Sequence, residues 1–169
     1  AHQGLGEELA WWANCLGRTG APFDSFLTLR GVRTLHARMR IHEENALAIA
    51  AALSAHPLVE AVHYPGLADH PGHALAARQQ QGFGAMLSFA VHGGPAAVEA
   101  VATGLELFTL AESLGGVESL VAHPASMTHA AMDEAARERA GISATLVRLS
   151  IGIEEGDDLA RDLTTGLDA

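Results

Sequence analysis

Two short stretches of this chain alternate with a period of two. In Ala85–Val91, Leu87, Phe89 and Val91 fall on one face. In Leu146–Ile153, Val147, Leu149 and Ile151 do the same. Such alternation describes strands buried on one side only. Around them lie stretches whose apolar residues recur every three or four positions, the period of a helix with one covered face. Short strands and covering helices in alternation predict a two-layer α/β or α+β domain. Its helices pack over a small, mostly antiparallel sheet.

Helical period runs over 5–16, through Leu5, Leu9, Trp12 and Leu16. Gly17, Gly20 and Pro22 break it. A longer helix is expected over 34–56, with Leu35, Met39, His42, Ala46, Ile49 and Leu53 on one face. Thr34 reads as its N-cap and Pro57 as its stop. Leu58–Tyr64 reads as a strand closed by Pro65 and Gly66. Further helices are expected over 73–81, from Pro95 to about residue 103, over 133–140 with Gly141 as the stop, and over 157–167. Leu107–Leu110 and Ser119–Ala122 read as short strands, with a turn at 111–116 between them. Two adjacent tryptophans, Trp11 and Trp12, are too much apolar area for a free terminal helix and imply a covering neighbour.

Composition removes several chemistries. Lys and Arg together number 10, and all ten are arginines. Without lysine the chain cannot form a side-chain Schiff base, use a lysine general base or build a P-loop. Twenty acidic residues give a formal net charge of −10, which argues against nucleic acid as a partner. No apolar run reaches the roughly 20 residues of a membrane helix, and no signal peptide is visible, so a cytoplasmic protein is expected. Cys15 is the single cysteine, so no internal disulfide and no Cys-rich zinc site can form. Beside Trp12 and Leu16 it is expected to be packed rather than nucleophilic. Among the ten histidines, His70–His73 and His123–His129 are spaced suggestively, yet neither pair has the ligand pattern of a metal site. His36 and His42 are expected on a helix face.

One residue violates the apolar pattern of its strand. Arg148 points, with Ser150, to the face opposite Val147, Leu149 and Ile151. A half-buried guanidinium demands an anion: either one of the chain's own acids or a bound carboxylate, which its planar fork suits. The segment Glu112-Ser113-Leu114-Gly115-Gly116 follows a short strand. Its glycines permit either an ordinary turn or close approach of backbone to a ligand. It is neither a nucleophile elbow, since Ala111 replaces the first glycine, nor a dinucleotide fingerprint.

Several segments together resemble the pyridoxal-phosphate enzymes of cysteine and methionine metabolism. They are Phe26-Leu-Thr-Leu-Arg-Gly-Val-Arg-Thr-Leu-His-Ala-Arg-Met39, Tyr64-Pro-Gly-Leu67, Leu110-Ala-Glu-Ser-Leu-Gly-Gly-Val-Glu-Ser-Leu120, Met127-Thr-His129, and Gly141-Ile142 with Leu146–Glu154. Order and spacing match over nearly the whole chain. Trp11-Trp12-Ala13-Asn14, Ala76–Gln80 and Gly82–Ser88 resemble the γ-synthase members in particular. The resemblance implies the C-terminal small domain of a fold-type I pyridoxal-phosphate transferase, over 34–169. Residues 1–33 would be a connecting helix and loop from a large cofactor-binding domain.

It implies that Arg148 holds the α-carboxylate of an amino-acid substrate. Ser113 and Leu114 would lie beside that site, and Glu112 would influence reaction type. It implies replacement of the γ-substituent of O-succinylhomoserine by cysteine, in a homotetramer, with the cofactor as electron sink. A γ-lyase or an O-acylhomoserine sulfhydrylase of the same family is the alternative within this class. A non-catalytic interaction domain is the alternative outside it. The family's Schiff-base lysine, which would shuttle protons, and its phosphate cradle are expected ahead of Ala1, so this piece alone is expected to be inactive.

Overall fold

A computed structural model describes residues 3–168. The chain forms two compact units, one up to His36 and one from Ala37 onward.

The first unit holds a 3-10 turn (Gln3–Leu5) and the helices α1 (Gly6–Cys15) and α2 (Pro22–Arg33). The helix expected over 5–16 does break, with α1 ending at Cys15, and Pro22 then starts a second helix. Ala21 is extended (φ −66°, ψ 148°) and Pro22 occupies the first turn, where its missing N–H costs nothing. Residues 22–33 are therefore helix rather than loop. Thr34 closes α2, and its hydroxyl donates back to the Gly31 carbonyl at 3.3 Å. Cys15, expected to be packed, is exposed. Trp11 and Trp12 stack edge to face with centroids 4.8 Å apart, both about half exposed.

The second unit takes in most of α3 (Leu35–Ala55), then β1 (Val59–His63), α4 (His73–Gln79), β2 (Met86–Val91) and α5 (Gly94–Gly104). It continues with β3 (Thr109–Leu110), β4 (Leu120–Ala122), α6 (Glu134–Arg139), β5 (Leu146–Ser150) and α7 (Gly156–Asp168). The five strands form one sheet in the order β1-β2-β5-β4-β3. All pairs are antiparallel except β3 with β4. Leu87 pairs with Leu149 and Phe89 with Val147, so the two alternating strands put their apolar faces side by side.

That face carries the core. Val147, Leu149, Ile151 and Phe89 are wholly buried against Ile49 and Leu53 of α3, Val98 and Val101 of α5, and Leu159, Leu163 and Leu167 of α7. Each such side chain contributes about 1.5–3 kcal/mol on removal from water. The buried stripe of α3 begins at His42. Leu35 and Met39, expected on that stripe, are each about two-fifths exposed.

Two expected strands are cut by two or more residues at one end, each because its backbone groups are spent elsewhere. The amides of Glu106, Leu107 and Phe108 donate to the Asp162 carboxylate of α7 at 2.9, 2.9 and 3.4 Å, leaving only Thr109 and Leu110 for the sheet. Past Ser150, β5 becomes a segment whose carbonyls bond to α3. No helix among the described residues is long and apolar enough to cross a membrane.

Candidate anion site on the open face of the sheet

Arg148 stands in the middle of β5, on the face away from the three core helices. Its register partners are Ser88 on β2 and Ala122 on β4. Cross-strand partners share a face, so the guanidinium rises between two small side chains. The fork does not meet an acid. Nη2 donates to the carbonyls of Glu112 (2.9 Å) and Ser113 (3.1 Å). Among the described residues no carboxylate lies within ion-pair distance of it, and Nε and Nη1 donate to no acceptor. Of the two readings of this arginine, the internal ion pair is therefore the one the structure does not contain.

The loop between β3 and β4 is gripped by its main chain. Gly115 adopts φ +78°, a conformation that disfavours a side chain, and its N–H donates to Ser150 Oγ at 2.8 Å. Arg148 and Ser150, two residues apart on β5, thus hold the loop from one strand face. The side chains of Glu112, Ser113 and Leu114 remain exposed on this loop. All four expected site residues belong to this one constellation. Ser150 is the member that sequence reasoning missed; its signal was the two-residue step from Arg148.

The segment after Ala122 turns back on itself at the edge of this site. The His123 amide donates to Met127 Sδ at 3.3 Å, and the His123 ring meets Ser126 Oγ (2.8 Å) and the Ala144 carbonyl (3.1 Å). Thr128 Oγ1 meets His129 Nδ1 at 2.7 Å. Across the sheet, Tyr64 is wholly buried and donates its hydroxyl to the Gly84 carbonyl at 2.8 Å. Glu43 accepts the Phe83 amide at 2.7 Å. Burial, and then the nearby Glu43 carboxylate, push the Tyr64 phenol up to about 12, so it stays a neutral donor. His70 and His73 serve local turns: His70 Nδ1 accepts from Gly72, and His73 Nδ1 meets the Pro65 carbonyl. Among the described residues no group of three or more His, Cys, Asp or Glu is placed to hold a metal ion.

The site is a fixed cation with a spare hydrogen-bonding edge, flanked by a held loop. That chemistry suits the carboxylate of a small molecule. It does not suit covalent anchoring of pyridoxal phosphate, which needs a lysine that the chain lacks.

Comparison with known proteins agrees with the resemblance. The profile of the Cys/Met metabolism PLP-dependent enzyme family matches residues 1–168. A cystathionine γ-synthase of Escherichia coli K12 is 56% identical over 162 residues, 96% of this chain and 42% of that protein. A cystathionine γ-lyase of Dictyostelium discoideum is 48% identical over 161 residues, 95% of this chain and 42% of that protein. The crystal structure of a cystathionine γ-synthase from Xanthomonas oryzae pv. oryzae, in complex with aminoacrylate and cysteine, superposes with a TM-score of 0.89 at 66% identity. It covers 98% of this chain and 43% of its own. The chain thus spans about two-fifths of the length of the curated relatives it matches. It belongs to the Cys/Met metabolism PLP-dependent enzyme family.

Proposed function

We propose that this chain is the substrate-carboxylate part of an enzyme that replaces the γ-substituent of O-succinyl-L-homoserine with L-cysteine, giving cystathionine and succinate. The observation that carries the reading is Arg148: a guanidinium on the sheet face away from the core helices, with no acid paired to it among the described residues and a free hydrogen-bonding edge. Held this way, it orients an amino-acid substrate by its carboxylate and so fixes the direction of the Cα–H bond, a positioning effect. Glu112, exposed on the gripped loop, is suited to meet the ammonium group of the incoming cysteine. The similarity to two cystathionine γ-synthases supports the choice of reaction.

The reading extends to a cytoplasmic homotetramer. Its pyridoxal phosphate would be anchored by a lysine outside these 169 residues and, when bound, supplies the electron sink of the reaction. The share of this chain is to hold and orient the carboxylate beside it. The similarity to a cystathionine γ-lyase supports a second reading, cleavage of cystathionine. One assay separates them. The intact enzyme is given O-succinylhomoserine with cysteine, and separately cystathionine alone. Succinate release coupled to cystathionine formation is expected; release of cysteine from cystathionine as the dominant activity would favour the lyase. In that intact enzyme, Arg148→Ala is expected to raise KM for the amino-acid substrate by about ten- to a hundredfold, the worth of a charge-assisted hydrogen bond. An unchanged KM would remove Arg148 from the site.

A further inference from the structure

The loop that carries Glu112, Ser113 and Leu114 is fastened at four successive points to the strand that carries Arg148 and to its continuation. The carbonyls of residues 112 and 113 go to Arg148, and the amide of Gly115 goes to Ser150. The Val117 carbonyl accepts from Ile153 N–H at 2.9 Å. The last fastening is different in kind. Glu154 accepts the Ser119 amide on Oε1 (2.7 Å) and the Ser119 hydroxyl on Oε2 (2.9 Å), while Ser119 Oγ accepts from the Gly152 amide at 2.8 Å. Ser119 is wholly buried.

Glu154 is itself held from behind by α3. Asn45 Nδ2 donates to the carbonyls of Glu154 (2.8 Å) and Gly152 (3.2 Å), and His42 Nδ1 donates to the carbonyl of Ile151 (2.6 Å). Both side chains are buried. Nothing larger than glycine fits at 152: a Cβ there would strike the Glu154 carboxylate and the Val117 carbonyl.

We infer that Glu154 is a positioning residue for the Arg148 site, acting through Ser119 on the loop 112–118. The inference rests on the carboxylate role proposed for Arg148. Its physical content is leverage. The carbonyls that Nη2 holds belong to the loop, so wherever the loop goes, the guanidinium turns with it. The start of the loop is held by exposed hydrogen bonds from the Arg148 guanidinium itself, so it moves with the group it would have to fix. Its far end is held by an ionised two-oxygen acceptor with no cation partner among the described residues, so the carboxylate's bonding is directed at Ser119. That end fixes the loop, and the loop fixes the plane in which Arg148 offers its free edge.

Glu154→Gln tests this with little change of volume. The amide presents one acceptor to two Ser119 donors and turns its NH2 toward one of them, leaving a donor unpaired. In the intact enzyme, KM for the amino-acid substrate is expected to rise about five- to tenfold with kcat held within about twofold. In an Arg148→Ala background the same substitution is expected to add less than about twofold, because the group it positions is gone. Backbone hydrogen exchange over 112–119 is expected to quicken about tenfold or more in Glu154→Gln, a readout independent of activity. Ser119→Ala, which removes the Oε2 arm and the acceptor of the Gly152 amide but keeps the Oε1 arm, changes KM in the same direction and serves if Glu154→Gln does not fold.

A fall in kcat at constant KM, a KM effect that persists undiminished without Arg148, or unaltered exchange over 112–119 would each overturn the inference. A normal response to Arg148→Ala with an inert Glu154→Gln overturns it alone. An unchanged KM in Arg148→Ala overturns the carboxylate reading as well.

Discussion

Arg148 was legible because it breaks a rule. A guanidinium in a strand of Val, Leu and Ile is too costly to place without an acceptor, and the sequence shows the violation directly. Its acceptors were not legible, because they are the carbonyls of residues 112 and 113, which any residues would supply. The same holds at Tyr64, whose hydroxyl binds the main chain of Gly84. Two substitutions separate these roles. Arg148→Lys keeps the charge but gives up the planar fork, so it is expected to recover only part of the KM lost in Arg148→Ala. Tyr64→Phe keeps the ring and loses one hydrogen bond, at about 1 kcal/mol of stability by denaturant midpoint. Because the folded state holds the phenol proton more tightly than the unfolded chain, the stability from this group is full below about pH 10 and lost as pH rises to about 12. An unfolding series from pH 9 to pH 12 is expected to fall more steeply in the parent than in Tyr64→Phe, measured at about half-unit steps.

At the scale of elements, periodicity recovered the core strands and the long helices because burial on one face is what the pattern encodes. It failed where the outcome depends on a distant partner. Residues 107 and 108 look like strand, yet their amides turn to Asp162, more than fifty residues away. Pro22 lies in the expected break after α1, yet an unexpected helix begins there, since a proline is harmful only where its N–H would have been used. Thr34 has the chemistry of a cap, and it also closes the preceding helix, one residue before the next begins. Asp162→Ala tests the first of these. Three amides lose their acceptor, two at the surface and one partly buried, and the tie between α7 and the end of α5 goes with them. A loss of about 1–2 kcal/mol is expected, read from the shift of the denaturant midpoint at unchanged slope. Since the Arg148 site lies on the other face of the sheet, KM in the intact enzyme is expected to stay within about twofold of the parent.

For the whole molecule, what the chain carries and what it lacks divide along chemical lines. It holds a guanidinium with no acid paired to it among the described residues and a fastened loop beside it, yet it has no lysine and so no covalent anchor for the cofactor of its family. Its first unit exposes Trp11, Trp12, Phe23 and Phe26, a set of large apolar side chains that soluble proteins cover with another surface. Both features yield expectations for the 169-residue chain set against the intact enzyme. Treated with pyridoxal phosphate and borohydride, the chain is expected to carry no reduced adduct on any side chain, whereas the intact enzyme carries one on a lysine. Peptide mass spectrometry reads this directly, and a side-chain adduct within these residues would contradict it. The tryptophans give the second measure, since all of the chain's indole emission comes from Trp11 and Trp12. In the chain alone that emission is expected to be quenched by acrylamide at the rate of an exposed indole. In an intact enzyme whose other tryptophans are replaced by phenylalanine, the same pair is expected to quench several-fold more slowly, on the proposal that another surface of that enzyme covers it. Equal quenching in the two would mean that α1 stands in water in the assembled enzyme, and that its apolar face has another use.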